Sequence, residues 1–300
     1  MANHIIEDIK QKIKSGNVIT RLIIVNVAVF LIISISKILF FFVGGSVSTL
    51  VVEDFYNNIV SLPISIEGFI YRPWTLITYM FVHFDLMHIF WNMVTLFWFG
   101  QILTNFTDSR KIIPLYLMGG IAGGLITMLF NLLPFFHGFI GTHLLGASAG
   151  VTAIIIAAAT LVPHYRINML FIGEVKLIYV ALFVLFIDVL SVASYNNVGG
   201  NLAHLGGALM GYVFIQQFKR GTDLSKGINS FFERIQSMFR STPRSKMKVA
   251  YKRSVSDEEY NYQRNVNQQQ IDAILDKISK AGYESLSKQE KEILFKASKK

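Results

Sequence analysis

Long apolar runs separated by shorter polar connections dominate residues 20–218 of this 300-residue chain. Six of these runs are each about 17–22 residues long, enough for a helix to cross roughly 30 Å of bilayer hydrocarbon. They cover residues 22–43, 86–106, 112–133, 146–162, 177–195 and 201–218. Lys37 interrupts the first run and is expected to reach toward the nearer interface. The pattern therefore predicts an all-α, polytopic membrane protein with six transmembrane helices.

Composition and charge agree with a membrane protein. Hydrophobic residues make up 52% of the chain and charged residues 16%, whereas soluble domains average about 25% charged residues. The chain has no cysteine, which excludes disulfides, thiolate metal sites and a cysteine nucleophile. The net charge of +9 does not indicate nucleic-acid binding, because 18 of the 28 Lys and Arg residues follow residue 218, outside the apolar region.

The distribution of basic residues predicts the orientation of the helices. Lys10, Lys12, Lys14 and Arg21 lie in the N-terminal segment, and the second and fourth connections and the C-terminal tail are also basic. The third (134–145) and fifth (196–200) connections contain no Lys or Arg. Cytoplasmic connections carry the excess of these residues. We therefore expect both termini in the cytoplasm, with helices two, four and six beginning at the outer face.

Polar side chains occur near the start of each even-numbered helix. His88 and Asn92 are four residues apart and share one face of helix two, and His83 lies just before that helix. Ser148 stands in the first turn of helix four, within GASAG, and His204 lies near the start of helix six, within NLAHLGGALMG. The alternating topology predicts that all these residues share one depth in the membrane.

A serine beside a histidine base suggests nucleophilic catalysis. The backbone N–H of Ser148 at a helix N-terminus, with His88 and Asn92, would supply donors for an oxyanion. Other interpretations stay open from the residues alone. GASAG is also typical of close helix packing, and an intramembrane histidine also serves in proton relays. Three histidines suggest zinc, although HFDLMH lacks the metalloprotease spacing of two histidines around a glutamate.

Two further intramembrane features need an explanation. Small residues spaced for close helix packing occur in the third and sixth runs, at Gly119, Gly120, Gly123 and Gly124 and at Ala203, Gly207 and Gly211. Asp188 is a carboxylate well inside the fifth run. It is expected to orient His204, to line a proton path or to bond to a neighbouring helix, and we assign it no catalytic role at this point.

Three separated motifs, HFDLMHIFWN, GASAG and AHLGGALMG, resemble the rhomboid family of intramembrane serine proteases over about residues 20–218. Arg72, in YRPWT, is similar to the Trp-Arg segment of the family's first outer loop. The resemblance implies a six-helix bundle that hydrolyses peptide bonds in or next to the transmembrane helices of membrane-protein substrates, without a cofactor or metal. It implies the following roles: Ser148 as nucleophile, His204 as general base and then acid, His88 and Asn92 at the oxyanion, and His83 as a residue that helps hold water.

The sequence departs from the family pattern at two positions. Family members usually read GxSG, but here Ala149 follows the serine, which is tolerable if its φ is negative. Many members carry an aromatic residue four positions after the serine, stacked on the histidine, but here that residue is Thr152. The His204 ring is therefore expected to be held less tightly or by another group. Two other functions remain: a non-catalytic rhomboid-like protein that binds transmembrane clients, and a small transporter, for which no internal repeat is visible.

Composition divides the chain into four parts. These are a cytoplasmic N-terminal segment (1–19), the membrane domain (20–218), a basic and polar linker (219–270) and a C-terminal helical hairpin (271–300). In the linker, FFERIQSMF is an amphipathic candidate for the inner leaflet. In the hairpin, Gly282 marks a helix end, and Ser287 with Glu290 forms a capping box before a second helix. We expect the hairpin to dock on a cytoplasmic partner or on the chain's own cytoplasmic loops. We also expect a bacterial cytoplasmic membrane location with the active site open to the outer side.

Overall fold

The computed structural model describes residues 17–136, 138–169, 172–239 and 257–298. The chain divides into two compact units, Met1–Phe239 and Arg240–Lys300. The basic N-terminal residues Lys10, Lys12 and Lys14, on which part of the predicted orientation rests, lie outside the described residues, as does much of the predicted linker (240–256).

The described part of the first unit is mostly helical, as predicted. Its helices are α1 (Val18–Ile59), α2 (Ile66–Tyr71), α3 (Thr75–Thr78), α4 (Leu86–Phe106), α5 (Ile112–Asn131), α6 (Ser148–Leu161), α7 (Leu177–Ala193), α8 (Val198–Lys219) and α9 (Ser225–Phe239). Short 3₁₀ turns lie at Tyr79–Phe81, Ser109–Lys111 and Pro134–Phe136.

Two short antiparallel sheets, which the sequence did not predict, accompany the helices. Strand β1 (Leu62–Pro63) pairs with β2 (His143–Leu144), and β3 (Arg166–Met169) pairs with β4 (Gly173–Lys176). Strands of two and four residues are too short for a period-two pattern to be detected in the sequence. The β1–β2 pair matters for the site, because it ties the segment before α6 to the segment after α1.

Within the part of the chain that the structure describes, four segments are long and apolar enough to cross a membrane: Val18–Gly45, Leu86–Phe106, Ser109–Asn131 and Val198–Lys219. The predicted fourth and fifth spans correspond to the shorter apolar helices Ser148–Leu161 and Leu177–Ala193, so the count of six spans is not confirmed. Every residue of α6 from Ala149 to Ala159 is buried. This helix is covered by protein, and it does not need the length that lipid exposure would require.

The first helix is longer than predicted and breaks at Gly44–Gly45, where Gly45 adopts a φ of 68°. The helix after the break runs back along the end of the first segment. Lys37 pairs with Glu53, and the Ser36 hydroxyl lies 3.3 Å from the Tyr56 hydroxyl. Lys37 therefore has a carboxylate partner within α1, and its reach toward the interface stays a prediction.

Helix α6 packs against α5 and α8 through glycines. All four glycines of α5 are buried, which confirms their predicted packing role. A Cβ at Gly123 would lie 2.7 Å from the Cβ of Ala149. On α8, a Cβ at Gly207 would overlap the carbonyl oxygen of Ala149, and one at Gly211 would overlap that of Ala153. Helices α6 and α8 thus meet backbone to backbone, as small residues at membrane helix interfaces allow.

The second unit contains α10 (Asp257–Ala281), a 3₁₀ turn (Tyr283–Ser285) and α11 (Lys288–Ser298). Its first helix begins at Asp257, earlier than the predicted start at 271, because the polar residues before 271 continue the helix. Gly282 ends it with a φ of 76°. The predicted capping box is confirmed: the Ser287 N–H donates to Glu290 Oε2 at 2.7 Å, and the Glu290 N–H donates to Ser287 Oγ at 3.3 Å.

Candidate active site

An open cavity of about 1030 Å³ is lined by residues of α4, α6, α7 and α8 and of the segment before α6. Four of the five residues singled out from the sequence line it: His88, Asn92, Ser148 and His204. The fifth, His83, is fully buried next to the cavity. The structure therefore brings the predicted cluster together at the end of the bundle where α4, α6 and α8 begin.

The contact between α6 and α8 brings together the helical turns that carry Ser148 and His204. The next residue after the serine, Ala149, meets Gly207 with backbone against backbone. Gly207 lies about one helical turn after His204. The Ser148 hydroxyl and the His204 imidazole therefore lie on facing turns of α6 and α8, and at the Ala149–Gly207 contact no side chain separates the two backbones. Both residues are partly exposed to the cavity, so water and a substrate can reach them.

The turn before α6 is fixed by α4 and by the 3₁₀ turn at Tyr79–Phe81. Gly146 has a φ of 113°, a conformation that favours glycine. A Cβ at Gly146 would lie 2.7 Å from Cε1 of His88, so the imidazole covers the backbone two residues before Ser148. The Gly146 N–H donates to the Tyr79 carbonyl at 2.9 Å. Glycine at this position is needed both for the backbone conformation and for the close approach of His88.

His83, which is fully buried, supports the same turn from the protein interior. Its Nε2 accepts the Ala147 N–H at 3.2 Å and lies 3.5 Å from Nδ2 of Asn92. Burial and the neighbouring His88 ring lower the pKa of His83 to about 4. The imidazole is therefore neutral near pH 7, with Nε2 available as an acceptor. These contacts connect His83 to the backbone beside Ser148, a positioning role that the sequence did not suggest.

Groups that can donate hydrogen bonds lie at Ser148 or line the same cavity. Helix α6 begins at Ser148 without a side-chain cap, so the Ser148 N–H has no carbonyl partner within the helix and carries part of the positive end of its dipole. Asn92 is held in α4 by a hydrogen bond from its Nδ2 to the His88 carbonyl at 3.0 Å. Asn92 and His88 both line the cavity beside Ser148. This set of groups fits the stabilisation of a negative oxygen next to the serine.

Asp188 of α7 contacts the candidate base. Its Oδ1 lies 2.8 Å from Nδ1 of His204, with the Asp188 side chain 6% exposed and that of His204 21% exposed. Of the three roles that the sequence left open for Asp188, this contact favours orientation of His204 by a neighbouring helix. The signal in the sequence was the carboxylate itself, because an intramembrane charge without a partner is costly.

The two departures from the family pattern are both accommodated. Ala149 is buried, and positive φ values at residues other than glycine occur in the described chain at Tyr195 and Asn197, so the φ of Ala149 is negative as required. Its methyl group fits because the residue opposite on α5 is Gly123. Thr152 is buried and lines the cavity. It leaves space where a larger side chain would fill this wall.

Comparisons with known proteins cover the membrane region and the tail separately. A family model described as the Rhomboid domain matches residues 71–219, and one described as a family of unknown function (DUF6576) matches residues 255–300. RHOMBOID-like protein 12, mitochondrial, of Arabidopsis thaliana is 29% identical to this chain over 161 residues, covering 50% of the chain and 48% of the relative. The chain thus matches about half the length of this curated relative. Residues His83, His88, Asn92, Ser148, Asp188 and His204 all fall within the matched domain.

Proposed function

Because this chain belongs to the rhomboid family, we propose that it is an intramembrane serine endopeptidase that hydrolyses peptide bonds in or next to transmembrane helices. The observation that carries the proposal is that Ser148 and His204 line one open cavity. The backbone contact between Ala149 and Gly207 supports their alignment on facing turns. Such a pair is the minimum that a serine nucleophile and its base require.

In the proposed reaction, Ser148 Oγ attacks the carbonyl carbon of the scissile peptide while Nε2 of His204 takes the hydroxyl proton. The tetrahedral intermediate collapses as His204 returns this proton to the leaving amine, and an ester to Ser148 remains. Water then attacks the ester with His204 again as base, and the serine receives the proton as the acid product leaves. Each proton taken is returned, so the reaction requires water alone as co-reactant.

The Ser148 N–H, His88 and Asn92 are proposed as the groups that stabilise the oxyanion. Donors already fixed in the ground state act without reorganisation, which makes this one of the larger contributions to catalysis. The turn that holds the Ser148 N–H is supported by the hydrogen bonds at Gly146 and Ala147. We propose His83 as the support of this turn, in place of the water-holding role that the resemblance implies.

The walls of the cavity support transmembrane proteins as substrates. Trp91 of α4 and Phe183 and Ile187 of α7 line the cavity and are also among the exposed large apolar side chains. An apolar segment can therefore approach from lipid between these helices, while the polar side chains that line the cavity offer hydrogen-bond partners for water. A single-pass helix that unwinds near the cavity is the substrate class that fits both the apolar walls and the polar lining of the cavity.

Apolar helices and the rhomboid domain make the chain an integral membrane protein. We propose that the cavity opens to the outer side and that both termini are cytoplasmic. Lys111 and Lys219 lie at the ends of the bundle opposite the cavity, where α5 begins and α8 ends, and this fits the excess of basic residues on the cytoplasmic side. The similar Arabidopsis protein is mitochondrial by name; for this chain we propose the bacterial cytoplasmic membrane.

The test is cleavage of single-pass membrane proteins reconstituted with the full chain in liposomes, together with labelling by a fluorophosphonate probe. We expect the wild type to cleave and to be labelled, with or without a metal chelator. Ser148→Ala and His204→Ala should do neither, whereas Ser237→Ala, which changes an exposed serine of α9, should match the wild type. Turnover by Ser148→Ala equal to that of the wild type would rule out the proposed nucleophile.

Two further results bear on the assignment. Asn92→Ala is expected to slow turnover by about 10²–10³-fold if its amide stabilises the oxyanion, and an unchanged rate would remove Asn92 from that role. If the wild type captures transmembrane clients without cleaving them or reacting with the probe, the chain is a non-catalytic rhomboid-like binder. The Arabidopsis relative is itself named a rhomboid-like protein, which favours this binder as the second candidate function.

A further inference from the structure

Asp188 is the most unusual side chain in the described membrane region. It lies in α7, whose other residues from Leu177 to Ala193 are largely apolar. Its side chain is 6% exposed, and its Oδ1 contacts Nδ1 of His204 at 2.8 Å. Its Oδ2 is buried and has no hydrogen-bond partner among the described residues. A buried carboxylate with one satisfied oxygen is costly, so the contact with His204 is the interaction that explains its position.

The side of the imidazole that Asp188 contacts has a chemical consequence. A carboxylate that accepts a hydrogen bond from Nδ1 fixes the tautomer with the proton on Nδ1. Nε2 is then left with its lone pair, which a base for the Ser148 hydroxyl requires. When Nε2 takes the serine proton, both ring nitrogens carry hydrogen, and the nearby negative charge stabilises the imidazolium that forms.

We infer that Asp188 is a positioning residue that completes a Ser148–His204–Asp188 triad, with α7 supplying its third member. This inference rests on the proposed function, since it assigns Asp188 a role in the same reaction. Asp188 remains the carboxylate throughout, and the proton moves between Ser148 Oγ and Nε2 of His204. The other titratable groups that line the cavity are Asp85, His88 and His143.

The alternative explanation is a structural lock, in which the Asp188–His204 contact only holds α7 against α8. A lock and a triad predict the same loss of folding stability when the carboxylate is removed. They differ in the chemical step, because only a triad member sets the tautomer of His204. Thr152, on the neighbouring wall of the cavity, is too small to hold the imidazole by stacking. The orientation of His204 therefore depends on the Asp188 contact.

The experiment compares Asp188→Asn and Asp188→Ala with the wild type, using the full chain in liposomes. The readouts are kcat and KM on a cleaved transmembrane substrate, the rate of fluorophosphonate labelling of Ser148, and the thermal unfolding midpoint. Asp223→Asn is the matched control, because Asp223 is a carboxylate paired with Lys111 at the opposite end of the bundle. A triad predicts that Asp188→Asn lowers kcat and the labelling rate by about 10²–10⁴-fold with KM nearly unchanged.

Chemical rescue separates the triad from the lock. Asp188→Ala leaves a space that opens on the cavity, because Asp188 lines it. Added formate should restore labelling of this variant by at least tenfold in a saturable manner, and it should not accelerate the wild type or Asp223→Asn. A carboxylate supplied from solution can restore the tautomer, but it is not attached to α7 and therefore cannot hold α7 against α8.

The inference is overturned if Asp188→Asn keeps kcat and the labelling rate within about threefold of the wild type, while Ser148→Ala is inactive. It is also overturned if both Asp188 variants lose activity only in proportion to their loss of folded protein and formate restores none of it. Failure of the proposed function gives a different result, namely a wild type that is labelled no faster than Ser148→Ala.

Discussion

Replacement of Gly207 by alanine tests the contact that aligns the proposed dyad. Gly207 lies where α8 meets α6, and it has no side chain that separates the two backbones. A methyl group at this position would overlap the carbonyl oxygen of Ala149 and lie 2.8 Å from its carbonyl carbon. The atoms it meets belong to the backbone of α6, so no side-chain rotation can remove the overlap.

The size of the effect follows from these distances. The nearest atom, the Ala149 carbonyl oxygen, would lie about 1 Å closer to the methyl carbon than the 3.0 Å above which real Cβ contacts stay, so α6 and α8 must separate by roughly 1 Å to admit the methyl group. Overpacking of this kind typically costs about 1–3 kcal/mol of folding stability. Misplacement of a catalytic group by about 1 Å can cost about 10²-fold in rate. We therefore expect turnover and fluorophosphonate labelling of Gly207→Ala to fall by about 10²-fold, in protein that is still folded.

The assay measures labelling of Ser148 per folded molecule, with the folded fraction taken from thermal unfolding. Gly227→Ala in α9 is the matched control, because a Cβ there would have no atom within 4 Å. In an exposed helix this change is favourable by about 1 kcal/mol, so the control should label like the wild type. If Gly207→Ala labels as fast as Gly227→Ala, the α6–α8 contact does not set the geometry of Ser148 and His204.

Three other changes test contacts that stabilise the bundle or the site. Gly119→Ala should destabilise the bundle by about 1–3 kcal/mol because its methyl group would overlap that of Ala153. In thermal unfolding, the double variant with Ala153→Gly should regain most of the lost stability. A double variant no more stable than Gly119→Ala would refute this packing. His83→Ala should lower folding stability by about 1–3 kcal/mol, because it leaves the buried Ala147 N–H without its acceptor, and it should also slow labelling. His83→Gln keeps an acceptor and should therefore retain more of both the stability and the labelling rate. Burial raises the pKa of Asp223, but hydrogen bonds from Lys111 and Ser225 outweigh it and lower that pKa from 3.8 to about 2. The contribution of the Asp223 carboxylate to folding stability, about 1 kcal/mol after screening, is therefore complete above about pH 4 and disappears toward pH 2. The difference in unfolding midpoint between the wild type and Asp223→Asn should shrink over that range, and a constant difference would contradict the assignment.

The sequence was sufficient to predict which residues meet at the site. Polar side chains in apolar runs are few, and each has to face another polar group or water. Alternating topology then placed His88, Ser148 and His204 near the same end of the bundle, where the structure also has them. The helical packing glycines of α5 were equally readable, since small residues four apart have few other uses in a membrane helix.

Features that depend on contacts distant in sequence were not predictable. The segment after Gly45 returns along α1 because Lys37 and Glu53 pair across the break, and neither residue alone indicates a partner. The length of α6 was overestimated for a related reason. Its apolar sequence resembles a lipid-facing span, but it is apolar because other helices surround it, and hydropathy does not distinguish these two environments.

The case of Ala149 shows how one position depends on two other helices. Its methyl group was tolerable in principle once φ was negative, but the sequence around it does not show whether there is room. The room is provided by Gly123 on α5, and the backbone beside it is reached by Gly207 on α8. A larger residue at either glycine would displace α6 and, with it, Ser148. The backbone of the nucleophile is therefore positioned by Gly123 of α5 and Gly207 of α8. The five residues of GASAG do not by themselves distinguish catalysis from helix packing, because the position of Ser148 depends on all three helices.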